Sequence, residues 1–221
     1  MKPGRLAVFD CDGTLVDSQA NIVTAMRHAF DRQRMIPPEP QRIRRIVGLS
    51  LVESMEILLP EGDNALHRQL ADDYKNAFHL MRGQGALIAE PLYPGIREIL
   101  DELHSRGWLL GVATGKSDRG LALLLEHHGL TGHFITLQTA DRHPSKPHPS
   151  MLHAAIDEAG GHVQSSAMIG DTYFDMEMAV NAGVHAIGVD WGYHATDELT
   201  QAGAVTVVAD TQALLAALEE I

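Results

Sequence analysis

Asp10-Cys11-Asp12-Gly13-Thr14 sets two carboxylates two residues apart, where the apolar run Leu6–Phe9 meets a turn. Paired carboxylates repel each other, and a bound divalent cation is the usual means of keeping both ionised. Donors that are all oxygen point to magnesium. An Asp-Gly pair by itself is also an ordinary turn former. The full D-x-D-G-T string, however, would arise by chance in only about a few such chains per thousand.

Three further clusters carry chemistry of a compatible kind. Ala113-Thr114-Gly115-Lys116-Ser117 ends an apolar run and opens a helical pattern, where a hydroxyl and free backbone N–H groups can hold phosphate. Lys146-Pro147 stands in a loop before a helix, where a lysine would offset the charge of an aspartate nucleophile and of the phosphate it attacks. Gly170-Asp171-Thr172-Tyr173-Phe174-Asp175 follows another apolar run, and its i, i+4 spacing predicts both carboxylates on one face of a helix's first turn. Each cluster alone also reads as a helix cap or as solvated surface. Their convergence at the ends of separate strands favours a common site.

The elements that would position these groups follow from periodicity. Apolar runs bounded by turn residues predict strands at Leu6–Asp10, Leu109–Ala113, His133–Leu137, Ala167–Ile169, His185–Val189 and Val205–Val208. Helical patterns at about 94–105, 117–128, 148–159, 172–182 and 211–219 separate the later strands. Such alternation predicts an α/β fold, a parallel sheet covered by helices on both faces, with ligands at the carboxyl ends of its strands. Between the first and second strands the pattern is helical only, over Ser18–Arg34, Pro40–Val47, Ser50–Leu59 and Asp63–Met81, and Ser50 with Glu53 has capping-box spacing. The expected organisation is a core of residues 1–17 and 86–221 with an inserted helical cap at 18–85.

Composition narrows the function classes. The chain of 221 residues is 45% hydrophobic and carries a net charge of −12, which argues against a general nucleic-acid footprint. No run approaches the roughly 18 apolar residues of a membrane span, and a lone cysteine suits a reducing compartment, so a cytoplasmic protein with no membrane partner is expected. Residues 18–85 hold nine Lys/Arg against eight Asp/Glu, leaving eight against twenty-one elsewhere, so the helical insert is the natural face for an anionic substrate. Within it Arg45, with Arg42 and Arg44, is the candidate to grip a substrate anion bidentately, the alternative being a solvated helix face. Phe30, Tyr74 and Phe78 are its only aromatics, which favours small polar substrates over a stacked ring.

Alternation along the first strand turns Cys11 away from the two aspartates, predicting an inert buried thiol. The thirteen histidines show no zinc-site spacing. The oligomeric state is left open by the sequence.

The four motifs, in this order and with a helical insert directly after the first, resemble the haloacid dehalogenase superfamily, and Asp10-Cys-Asp-Gly-Thr-Leu-Val-Asp-Ser18 is similar to the opening of its phosphoglycolate phosphatase-like members. The resemblance extends from Arg5 to about Val208 and implies a Rossmann-like core carrying an α-helical cap of the kind called C1. It further implies a Mg2+-dependent phosphatase acting on a small phosphorylated metabolite. Asp10 would be the nucleophile and a metal ligand; Asp12 the general acid/base, with its carbonyl on the metal; Asp171 the third protein ligand, supported by Asp175. Thr114 and Gly115 would bind phosphate, and Lys146 would balance charge. Trp191-Gly192-Tyr193 resembles a loop common in the same members, with a packing role. A sugar-phosphate mutase or a pyrophosphatase would share these residues. A dehalogenase usually lacks an aspartate at the position of Asp12, and a non-catalytic binding protein would be expected to have lost at least one of Asp10, Asp12, Lys146 and Asp171.

Overall fold

The computed structural model describes residues 4–221, so the first three residues of the expected core segment lie outside the described residues. Strand β1 (Gly4–Phe9) leads to four helices, α1 (Gln19–Arg32), α2 (Pro40–Arg44), α3 (Leu51–Leu58) and α4 (Asn64–Gly83). The chain then alternates through α5 (Ile96–Ser105), β2 (Leu109–Thr114), α6 (Asp118–His127), β3 (Thr136–Thr139), α7 (Ser150–Ala159), β4 (Gly161–Gly170), α8 (Tyr173–Ala182), β5 (His185–Val189), α9 (Thr196–Gln201), β6 (Thr206–Val208) and α10 (Thr211–Glu219).

The strands form one six-stranded parallel sheet in the order β3-β2-β1-β4-β5-β6. Connections run outward in both directions from β1, so the order reverses there and opens a crevice at the carboxyl edge. The register sets Phe9 opposite Val112 on one side and Ile169 on the other, bringing Asp10, Thr114 and Asp171 to that edge together.

Alternation along β1 divides the core into two layers. Ala7 and Phe9 pack with Ile99, Leu100, Leu121 and Leu214 from α5, α6 and α10; Leu6 and Val8 pack with Met151, Leu152, Met176 and Leu199 from α7, α8 and α9. Burial on both faces is what a parallel sheet requires. Helices α1–α4 enclose a third cluster around Met26, Phe30, Ile43, Met55 and Leu70.

Four local expectations are corrected. Strand β3 begins at Thr136 rather than His133, because the His133 amide donates to the Leu130 carbonyl (3.0 Å) and closes a turn. Strand β4 starts six residues before Ala167; its polar first half is partly exposed, so apolar periodicity missed it. Helix α9, only six residues long, was not expected. The Ser50 side chain makes no capping bond; instead the Ser50 amide donates to Ser145 Oγ (2.9 Å), tying the start of α3 to the loop before Lys146.

Candidate active site

Asp10 follows the last residue of β1, and its amide still donates to the Ile169 carbonyl (2.8 Å), so the carboxylate is held at the sheet edge by strand geometry. Lys146 Nζ donates to Asp10 Oδ1 (2.7 Å) and to Asp175 Oδ1 (2.6 Å), and all three side chains are withdrawn from solvent. Although burial opposes its charge, Asp10 and Asp175 together hold the Lys146 ammonium above the ordinary lysine range.

Asp175 is the N3 residue of α8. Its Oδ2 accepts from the Thr172 amide (3.1 Å) and hydroxyl (2.7 Å), closing a capping box with Thr172 as the N-cap. Asp171 therefore precedes the helix instead of sharing its first-turn face, which corrects the i, i+4 expectation. The Asp171 carboxylate accepts from Thr14 Oγ1 (2.8 Å) and from the Tyr193 amide (2.9 Å). Loop approaches here demand glycine: a Cβ on Gly13, whose φ is +91°, would fall 2.2 Å from Asp171 Oδ2, and one on Gly192 would fall 2.2 Å from Asp171 Cβ. Trp191 Nε1 donates to the Thr14 carbonyl (3.2 Å), bracing the same loop from below.

Carboxylate oxygens of Asp10, Asp171 and Asp175 lie within 4.8 Å of one another. Burial pushes the Asp10 carboxyl up to about 7 against the pull of Lys146, with Asp175 adding to the rise. Burial likewise raises Asp171 well above the usual carboxylate range, helped by Asp10 and Asp175. Asp10 Oδ2 is buried with no hydrogen-bond partner among the described residues. Three buried carboxylates facing one ammonium leave an uncompensated negative charge and an orphaned acceptor, and a hard divalent cation fits both. The cluster draws in Asp175, expected only as support.

The carboxylate of Asp12 points elsewhere. Its Oδ1 accepts from Ser18 Oγ and pairs with Lys116 Nζ (2.8 Å), on the wall of a cavity of about 680 Å³ bordered by the sheet edge and by α1, α3, α4 and α6. Asp12, Glu90 and Cys11 hold the Lys116 ammonium above its ordinary range despite burial. Lys116 and Ser18 received no role from the sequence, although both stand at the ends of motifs that did. Thr114 is buried, and its Oγ1 accepts from the Lys116 amide (3.2 Å), leaving the hydroxyl proton free to donate. A Cβ on Gly115 would fall 2.4 Å from the Leu49 carbonyl, so the loop after β2 touches the turn before α3.

Arg45 is not brought to this site. Its guanidinium pairs with Glu198 (2.6 Å) at the start of α9, half-exposed, and does not line the cavity. Arg42 donates to the Leu58 carbonyl (3.3 Å). The basic side chains of α4 that do border the cavity are Lys75 and Arg82, which sequence reasoning missed because facing follows from helix rotation. Cys11 lies in the apolar core, and burial, followed by the nearby Asp12 charge, raises its thiol well above the ordinary value, as an inert cysteine requires. Among the described residues no helix is long and apolar enough to cross a membrane.

Comparison with known proteins agrees with this arrangement. The family model described as haloacid dehalogenase-like hydrolase matches residues 7–189. The chain is 39% identical over 218 residues to "Probable phosphatase IndB" of Dickeya dadantii, covering 96% of this chain and 90% of that one. It is 35% identical over 197 residues to the phosphoglycolate phosphatase of Agrobacterium fabrum, covering 85% and 81%. A solved structure of a predicted phosphatase from Clostridium acetobutylicum superposes with a TM-score of 0.88 at 25% identity, covering 100% of each chain. With its motifs assembled at one sheet edge and most of its length matched, the chain belongs to the haloacid dehalogenase-like hydrolase family.

Proposed function

We propose that the protein is a magnesium-dependent phosphatase that hydrolyses a small phosphomonoester through an aspartyl-phosphate on Asp10, with residues 18–85 acting as a cap over the core formed by 1–17 and 86–221. The observation that carries this reading is the state of Asp10: buried at the sheet edge, one oxygen held by Lys146 and the other without a partner, beside Asp171 and Asp175. The phosphatase names of the relatives support the same reading.

In the first step an Asp10 oxygen forms a bond to phosphorus while the bond from phosphorus to the ester oxygen breaks, and Asp12 gives that oxygen its proton. In the second step Asp12 takes a proton from water, which attacks the phosphorus and frees Asp10 and inorganic phosphate. Lys146 and the Thr114 hydroxyl would offset the charge spread over the equatorial oxygens. Magnesium, held by Asp10 and Asp171 with Asp175 beside them and the Asp12 carbonyl as expected from the motif, would supply further charge neutralisation at the phosphate.

The test is release of inorganic phosphate from a panel of phosphomonoesters and pyrophosphate, with magnesium or with chelator, by the wild type and by Asp10→Asn. Magnesium-dependent release that Asp10→Asn reduces on the order of a thousandfold or more is the expected result. Turnover that survives in Asp10→Asn would exclude the aspartyl-phosphate route. Rearranged sugar phosphate in place of free phosphate would assign a mutase.

A further inference from the structure

The cavity beyond the catalytic cluster is shaped for more than a very small leaving group. It begins at Asp12 and Lys116, where the ester oxygen would be protonated, and extends to about 680 Å³ beneath α1 and α4. Tyr74 and Phe78 stand one turn apart on α4 and both line it, their ring centroids 5.2 Å apart at an angle of 53°. Ile22 and Met26 of α1, both buried, line it as well.

Contacts on either side of this volume hold the helical insert against the core. The turn at 48–50 is against the core at Gly115 and Ser145, and Arg45 is locked to Glu198. The opposite wall is held by Asn21, which exchanges hydrogen bonds with both backbone groups of Ile88 (2.8 and 3.0 Å) and also donates to Glu90 Oε1 (2.8 Å). A volume of this size, with an apolar wall on α1 and α4, Asp12 and Lys116 at the sheet edge, and Lys75, Arg82 and Arg119 also on its lining, falls in the range that takes a ring-bearing anionic ligand. An ester as small as phosphoglycolate would leave the Tyr74–Phe78 wall facing water, an unused apolar surface.

Resting on the phosphatase reading above, we infer that the substrate is a phosphomonoester of an alcohol that carries an aromatic or similarly flat ring. The phosphoryl group sits at Asp10, the ester oxygen at Asp12, and the ring lies against Tyr74 and Phe78. Aromatic contacts of offset or edge-to-face type and the burial of the ring supply the selectivity.

The experiment compares 2-phenylethyl phosphate with ethyl phosphate, whose leaving alcohols are alike in reactivity, and uses acetyl phosphate as an activated, ringless control. The expected kcat/KM is about tenfold or more higher for the phenylethyl ester, the scale on which an apolar pocket discriminates a buried group. Phe78→Ala should lower that ratio by roughly fivefold within one enzyme preparation. Equal or reversed preference overturns the ring-binding inference and leaves the phosphatase reading standing; turnover of acetyl phosphate alone, an anhydride and not an ester, overturns both. Failure on all three compounds in the presence of magnesium overturns both.

Discussion

Lys116 Nζ lies 2.8 Å from Asp12 Oδ1, with both side chains largely withdrawn from water at the cavity wall. The pair orients the residue proposed as general acid and base, and the Ser18 hydroxyl donates to the same oxygen.

Replacing Lys116 by Met leaves a mostly buried carboxylate without its cation. Stability should fall by about 1–3 kcal/mol, the range for losing a charged hydrogen-bond partner. Turnover should fall on the order of a hundredfold, because Asp12 loses its orientation. Urea unfolding and steady-state kinetics on the same preparation test both numbers. A variant with wild-type turnover would remove Lys116 from the site.

Asp10→Asn should abolish activity without loss of fold. Burial holds the Asp10 carboxyl up at about 7, so above that pH its ionised form is carried at a cost that a neutral amide avoids. Lys146 keeps Asp175 as a partner. In chelator at pH 8 the variant is expected to melt at or above the wild-type temperature, by up to about 2–4 °C per kcal/mol relieved. A large drop in melting temperature would instead mark Asp10 as structural.

Magnesium should stabilise the wild type through the carboxylate cluster. At a hundredfold excess over its dissociation constant the gain is about 2.7 kcal/mol, visible as a shift in melting temperature without any substrate. Asp171→Asn should lose most of that shift. A shift that persists in Asp171→Asn would place the cation elsewhere.

Basic residues of the helical insert should divide by helix. Arg82→Ala, which removes a charge bordering the cavity, is expected to raise KM roughly two- to fivefold, the effect of one exposed charge. Arg45→Ala should leave KM unchanged, since its guanidinium is engaged by Glu198. The opposite pattern would return Arg45 to the substrate role its sequence position suggested.

His143 gives a pH signature that catalysis does not confound. It bridges Gln138 Oε1 and Ser150 Oγ at 2.8 Å each, and burial followed by the nearby Arg142 charge lowers it below 6.5. A depressed histidine stays neutral when folded while the unfolded chain takes up the proton, so this contribution is present above about 6.5 and is lost as pH falls through that value. Between pH 7.5 and 5.5 the wild type should lose more stability than His143→Gln in urea unfolding. Parallel losses would show that His143 is not depressed in the folded state.

Much of the architecture was legible from periodicity. The strand at His185–Val189 has the expected bounds, since an apolar run buried from Ala186 onward and bounded by turns leaves little room for another reading. The apolar signal marks only Ala167–Ile169 of β4, because His162, Gln164 and Ser165 in its first half interrupt it. The turn around His133 misleads the pattern in the other direction, since His133 and Phe134 belong to the approach to β3 and Ile135 only begins its pairing with β2.

The site divides along the same physical line. Local spacing within the sequence determined that Asp10 and Asp12 leave one strand at a turn, that Asp171 follows another, and that Thr114 ends a third, because a buried parallel strand delivers its last residues to one edge. Only the tertiary structure decided which side chains meet across long separations: Lys146 between Asp10 and Asp175, Lys116 against Asp12, Tyr193 on Asp171, and Arg45 drawn to Glu198. Those pairings depend on sheet order, helix rotation and loop closure, which sum weak interactions over the whole chain and leave no mark on the spacing of neighbours along it.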